Sequence, residues 1–152
     1  MAITPKKNQY ALRAIFELAK HVGKGPQKIS QIAQAQAIPE KFLEVILNQL
    51  KASGWVESKR GFYGGYFLKS SPKEITVGDI MRFMQRAPNQ LECVACISKG
   101  DCPFDGNCAF ASMWNQVNEA MFKIYNETTI EDLINNEKRI YHKKTNRKKR
   151  KS

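Results

Sequence analysis

The sequence predicts a mainly α fold with a small β-hairpin wing: a winged helix-turn-helix DNA-binding domain followed by a long C-terminal dimerisation helix. Three observations predict it. Helical periodicity, broken twice by turn residues, runs through the first third of the chain. A glycine-rich, basic hairpin pattern follows, and from about Ala109 a heptad-like apolar spacing appears. The expected divisions are a winged domain over 1–88, a cysteine-rich loop over 89–108, a dimerisation helix with a short last helix over 109–137, and a basic, disordered tail over 138–152.

Residues 8–22 read as the first helix, with Ala11, Ile15, Leu18 and Val22 at helical spacing, ended by Gly23-Lys24-Gly25-Pro26. Ser30 is the expected N-cap of a short second helix, roughly Gln31 to Gln36. After the Ala37-Ile38 turn, Pro39 suits the first turn of a third helix, where its missing N–H costs nothing. That helix reaches about Ser53, and Gly54 suits a left-handed C-terminal position. At 100° per residue, Phe42, Leu43, Ile46, Leu47 and Leu50 share a core side, and Lys41, Glu44, Val45, Asn48 and Ala52 share the other.

Trp55 to Ser58 and then Lys59 to Leu68 hold two β-prone stretches around a basic, glycine-rich turn. Two short helices, a longer one and this hairpin place the third helix in a DNA major groove. On it, Lys41 is expected to meet a phosphate or a guanine edge, Glu44 a cytosine amino group, Val45 a thymine methyl, and Asn48 an adenine or a phosphate. Gln31 and the wing residues Lys59, Arg60 and Tyr63 complete the candidate DNA-binding set, with Arg60 the main wing contact.

Thr76 and Asp79 form a capping signature ahead of Ile80, Phe83 and Met84. Phe110, Trp114, Val117, Met121 and Ile124 follow at spacings of 4, 3, 4 and 3, a two-stripe pattern expected to pair the chain into a homodimer. A last short helix starts at Thr128 or Thr129, with Glu131 and Asp132 at its positive end.

The net charge is +11, and favours an anionic partner such as nucleic acid. Most of it is terminal: 138–152 carries nine Lys and Arg and no acid, leaving +2 on the remainder. No apolar run is long enough to span a membrane, and the first residues lack a continuous apolar signal region, so a cytoplasmic, membrane-free protein is expected. An enzyme is not expected. His21 and His142 lie outside the cysteine segment, and no nucleophile–base set or phosphate-binding glycine motif stands out.

All four cysteines fall in one segment as C-x2-C-x5-C-x5-C: Cys93, Cys96, Cys102 and Cys108. Thiolates are soft ligands that suit iron–sulfur clusters and zinc. Zinc prefers two short knuckles, and the second pair here is too widely spaced for that. A cluster or other thiol redox chemistry is the favoured reading, beside zinc and incidental thiols. Two further readings are a zinc- or thiol-based regulator without a cluster, and a redox module with no DNA role.

Taken in order, the motifs resemble regulators of the IscR/NsrR type, which respond to iron–sulfur status and nitric oxide. The resemblance rests on Tyr10-Ala11-Leu12-Arg13, Ile29-Ser30-Gln31-Ile32-Ala33, Phe42-Leu43-Glu44, Gly54-Trp55-Val56, Arg60 to Tyr66, Ile75 to Ile80, and Cys96-x5-Cys102-x5-Cys108 ahead of Trp114. It implies a winged-helix homodimer with long crossing helices; on a double-stranded DNA operator, a repressor is the expected role. It also implies an iron–sulfur cluster on Cys96, Cys102 and Cys108. The fourth ligand of the 2Fe–2S branch, a histidine, is replaced here by Ala111, and the aspartate of the 4Fe–4S branch by Gln9. Cys93 is the candidate fourth ligand, and 2Fe–2S is preferred over 4Fe–4S.

Overall fold

In a computed structural model the chain is described over residues 5–85 and 108–149. Six helices and one hairpin follow in the order α1 (Lys6–Lys20), α2 (Ile29–Gln36), α3 (Glu40–Lys51), β1 (Val56–Lys59), β2 (Gly65–Leu68), α4 (Val77–Gln85), α5 (Ala111–Glu127) and α6 (Ile130–Lys149). The expected class holds: mainly helical, with a two-stranded antiparallel wing.

The apolar stripes converge on one core. Ile15 and Leu18 of α1, Ile32 of α2, and Leu43, Leu47 and Leu50 of α3 are almost fully buried, together with Val56, Ile75, Ile80 and Ile130. Each side chain of this kind contributes about 1.5–3 kcal/mol on burial. The core therefore spans α1 to α4 and takes in the first residue of α6. Arg13 donates to the Gln36 carbonyl at 3.4 Å, and buried Glu17 accepts from Gln36 Nε2 at 2.6 Å and pairs with Lys20 at 3.1 Å. These bonds fix α2 against α1. Lys20 also reaches Glu137 at 3.4 Å, which clips α6 to α1.

Gly54 has φ +81°, the left-handed conformation expected at the end of α3. The wing pairs Val56 with Leu68 and Lys59 with Gly65. Its inner strand is held to the segment before α2 by reciprocal bonds of 2.8 Å between Gln27 and Tyr66. A Cβ at Gly65 would overlap the Gln27 backbone, so only glycine permits this approach.

Two copies of one cap tie the halves of the fold together. Asp79 N–H donates to Thr76 Oγ1 at 3.1 Å, and Thr76 N–H donates back to the Asp79 carboxylate at 3.0 Å. Thr129 and Asp132 repeat this at the head of α6, at 3.0 and 3.1 Å. The two threonines face each other in an antiparallel bridge, with Val77 N–H on the Thr128 carbonyl at 2.9 Å and Ile130 N–H on the Ile75 carbonyl at 3.0 Å.

Several sequence expectations need correction. Phe42 is 63% exposed rather than core. The buried stripe is centred on Leu43 and Leu50, and Phe42 lies at its edge on the first turn of α3. Val22 is 48% exposed, because α1 ends at Lys20. Lys28, not Ser30, is the N-cap of α2. The last helix is neither short nor followed by a disordered tail from residue 138, since α6 runs to Lys149. Ile130, Leu133, Ile134, Glu137 and Ile140 sit at helical spacing along α1, with Ile140 lining a groove beside Leu12 and Phe16. Once such a helix is nucleated and capped, propagation adds one hydrogen bond per residue and carries it into the basic run.

Candidate nucleic-acid interface and cysteine segment

The candidate DNA-binding side chains come from three elements. On α3, Lys41, Glu44, Val45 and Asn48 are all exposed, opposite buried Leu43, Ile46, Leu47 and Leu50. Val45 is 57% exposed and lies one turn from exposed Phe42, so α3 presents two apolar side chains among its polar ones. Phe42 is absent from the expected exposed face of α3 because its apolar character assigned it to the core stripe.

On α2, Gln31 is exposed, and its Oε1 accepts the Lys28 backbone N–H at 2.9 Å. This satisfies an otherwise orphan donor at the helix start. The oxygen is thus committed to the cap. The amide NH2 is the part of Gln31 suited to an anionic acceptor.

On the wing, Lys59, Arg60 and Tyr63 are exposed. Gly64 N–H donates to the Gly61 carbonyl at 2.9 Å, closing a four-residue turn with Phe62 and Tyr63 at its centre. Lys28 Nζ lies 5.2 Å from the centre of the Phe62 ring. The wing tip and the start of the helix-turn-helix are therefore neighbours, which the linear sequence does not reveal. Lys28 and Phe62 are the other two surface residues missed there.

The cysteine segment joins α4 to α5. Cys93, Cys96 and Cys102 lie outside the described residues. Cys108 lies within them. It is half-buried, makes no disulfide, and its carbonyl accepts the Ala111 N–H at 3.1 Å at the head of α5. A half-buried free thiol at the close of a four-cysteine run suits a soft metal centre by its donor chemistry. Among the described residues no three metal-binding side chains cluster.

α5 carries the proposed dimer stripe and has no buried residue. Phe110 caps it rather than lying inside it. Phe110 and Ile124 are each 63% exposed and Val117 44%, while Trp114 and Met121 are half-buried. Met113, at 46%, adds to the same apolar exposure. α5 is held to α4 at its far end, where Arg82 donates to Asn126 Oδ1 at 2.6 Å and pairs with Asp79 at 2.9 Å. Gly78 allows the contact, since a Cβ there would lie 3.1 Å from Asn126 Cγ and overlap the amide oxygen. Burial, the largest single influence on the Asp79 carboxyl, pushes its pKa up, but the Thr76 hydrogen bonds and the Arg82 guanidinium together outweigh it and hold it below the usual aspartate range.

Among the described residues no helix is long and apolar enough to cross a membrane. Residues 4–136 match the Rrf2 family, described as iron-dependent transcriptional regulators. The HTH-type transcriptional regulator CymR of Bacillus subtilis (strain 168) is 35% identical over 127 residues, covering 84% of this chain and 86% of that one. Solved structures similar to the fold include those of an IscR and a CymR. The T. potens IscR structure has a TM-score of 0.69 at 32% identity and covers 88% of this chain and 86% of its own. The structure of CymR, the global cysteine regulator of B. subtilis, has a TM-score of 0.68 at 34% identity and covers 88% of this chain and 96% of its own. With its hairpin wing, helical core and family match over most of its length, the chain belongs to the Rrf2 family of transcriptional regulators.

Proposed function

We propose that this regulator is a homodimeric repressor that binds a double-stranded operator and takes its signal from an iron–sulfur cluster, 2Fe–2S in preference to 4Fe–4S. The observation that supports the DNA reading most is the approach of exposed Lys28, at the start of α2 beside Gln31, to Phe62 on the wing that carries Arg60 and Tyr63. Each protomer offers the exposed side of α3 to a major groove, with Lys41 and Asn48 as donors, Glu44 as acceptor and Val45 as the apolar contact. Lys59 and Arg60 hold the flanking phosphates or minor groove. The α5 stripe of Phe110, Trp114, Val117, Met121 and Ile124 joins two protomers, which gives two half-sites their spacing.

Cys96, Cys102 and Cys108 hold the cluster, with Cys93 as the fourth thiolate. When bound, such a group supplies an iron- and redox-responsive crosslink. The chain's own contribution is the path from Cys108 along α5 to Asn126, Arg82 and α4. A coupling of about 1–3 kcal/mol along it changes operator affinity about 5–150-fold. Preparation without oxygen, with visible absorption and iron, sulfide and zinc assays, tests the reading. Coloured protein with stoichiometric iron and sulfide, lost on changing Cys96, Cys102 and Cys108 to Ala, is expected.

A second reading is favoured by one observation, the 35% identity to CymR, the global cysteine regulator of B. subtilis. In it the same thiols sense cysteine or oxidants directly. Colourless protein without iron, whose DNA binding changes on thiol oxidation, would support this reading against the cluster.

A further inference from the structure

The wing apex carries two features that neither the turn nor the core requires. Hairpin turns favour Gly, Asn and Asp at their centre, for backbone reasons. Here the two central positions are Phe62 and Tyr63, which are 81% and 85% exposed. Their rings meet edge to face, 5.1 Å apart at 85°, so each braces the other.

The apex turn is closed by the Gly64 N–H to Gly61 carbonyl bond of 2.9 Å, and glycine is required on both sides of the rings. Gly61 has φ +107°, a conformation that side-chain-bearing residues rarely adopt. A Cβ at Gly64 would fall 2.8 Å from the Arg60 carbonyl carbon and 2.9 Å from the Gly61 oxygen, so that position also excludes a side chain. The base of the wing is held to Gln27 through Tyr66. The two rings therefore project from a closed turn whose base is anchored to the segment before α2. One cation lies against them, Lys28 Nζ beside the Phe62 face, and exposed Lys59 and Arg60 precede them in the chain.

We propose that Phe62, braced by Tyr63, is an aromatic wedge that enters the minor groove next to the half-site read by α3, partly opens a base step and bends the duplex. Lys28, Lys59 and Arg60 supply phosphate contacts on either side, and the apolar ring supplies the unstacking element that minor-groove wedges require. The ring acts through a flexible step such as TA or CA, so it selects sequence by deformability rather than by hydrogen bonding. This inference rests on the DNA-binding reading and adds to it a residue, a groove and a deformation.

The test uses the full-length protein and a duplex selected with it from a random-sequence library. The duplex carries a donor–acceptor pair at its ends to report bending. 2-Aminopurine, placed step by step beside the half-site, reports unstacking. Wild type is expected to bend the duplex and raise 2-aminopurine emission at one step per half-site. Phe62→Ala is expected to abolish both signals and weaken binding about tenfold. Its salt dependence should stay unchanged, since no charge is removed. Phe62→Leu keeps an apolar wedge and is expected to keep most of the bend. Wild type that binds the selected duplex without bending or emission change overturns the wedge while leaving DNA binding intact, as does a Phe62→Ala variant that bends like wild type. Failure of wild type to retain any duplex from the library overturns the DNA reading and the wedge together.

Discussion

Arg82 of α4 donates a 2.6 Å hydrogen bond to Asn126 near the end of α5, joining the winged core to the helix that follows the cysteines. The same guanidinium pairs with Asp79, so the cap of α4 and the seat of α5 share one side chain. Arg82→Ala is expected to cost about 1 kcal/mol in chemical denaturation. It should also reduce the difference in operator affinity between iron-loaded and iron-free protein. A double-mutant cycle with Asn126→Ala checks this. Additive effects on that difference would mean the signal does not pass through this hydrogen bond.

The Lys41→Ala, Arg60→Ala double variant is expected to weaken operator binding. It should also flatten the plot of log affinity against log salt by about 1 for each phosphate the variant no longer neutralises. A stop after Lys143 makes a contrasting case. It removes six Lys and Arg of the basic run, all beyond the family match at residue 136, and spares Ile140 against α1. Binding to non-operator duplex should fall and its salt slope shrink, with discrimination between operator and other sequences retained. Equal weakening on both duplexes at high salt would assign the run a structural role.

The depressed pKa of Asp79 sets a sign for the pH dependence of stability. Because the carboxyl is more acidic folded than unfolded, its contribution is present above the usual aspartate range and is lost as pH falls through the lower folded value. Asp79→Ala is therefore expected to cost about 1 kcal/mol at neutral pH, the scale of a helix cap at a partly exposed site. The gap to wild type should close in acid. Melting curves at several pH values measure it, and a gap that persists at the acid end would show that packing, not charge, carries the effect.

An exposed apolar helix calls for a partner surface, and Val117 and Ile124 lie on the outward side of α5. Val117→Glu with Ile124→Glu should convert a dimer into a monomer in light scattering, with the helical circular dichroism of the core retained. Operator binding should drop sharply, since one protomer reaches only one half-site. A double variant that remains dimeric would place the dimer interface elsewhere.

The sequence alone determined the kinds of elements and their order, because periodicity, caps and turn residues act within a few positions of one another. Leu43, Leu47 and Leu50 mark a core stripe, Thr76 and Asp79 a helix start, and Gly54 a helix end, wherever the rest of the chain lies. Only tertiary structure decided which surfaces meet. Phe42 is apolar yet exposed, because among the described residues no other element covers the edge of its stripe. The basic run is helical through Lys149, because α6 starts on the core and lies along α1 before the charges begin. Lys28 meets Phe62 because Gly65 lets the wing close on Gln27, and α4 meets α5 because Gly78 leaves room for Asn126. Each is a packing of segments far apart in the chain, set by available volume and burial, which no local pattern encodes.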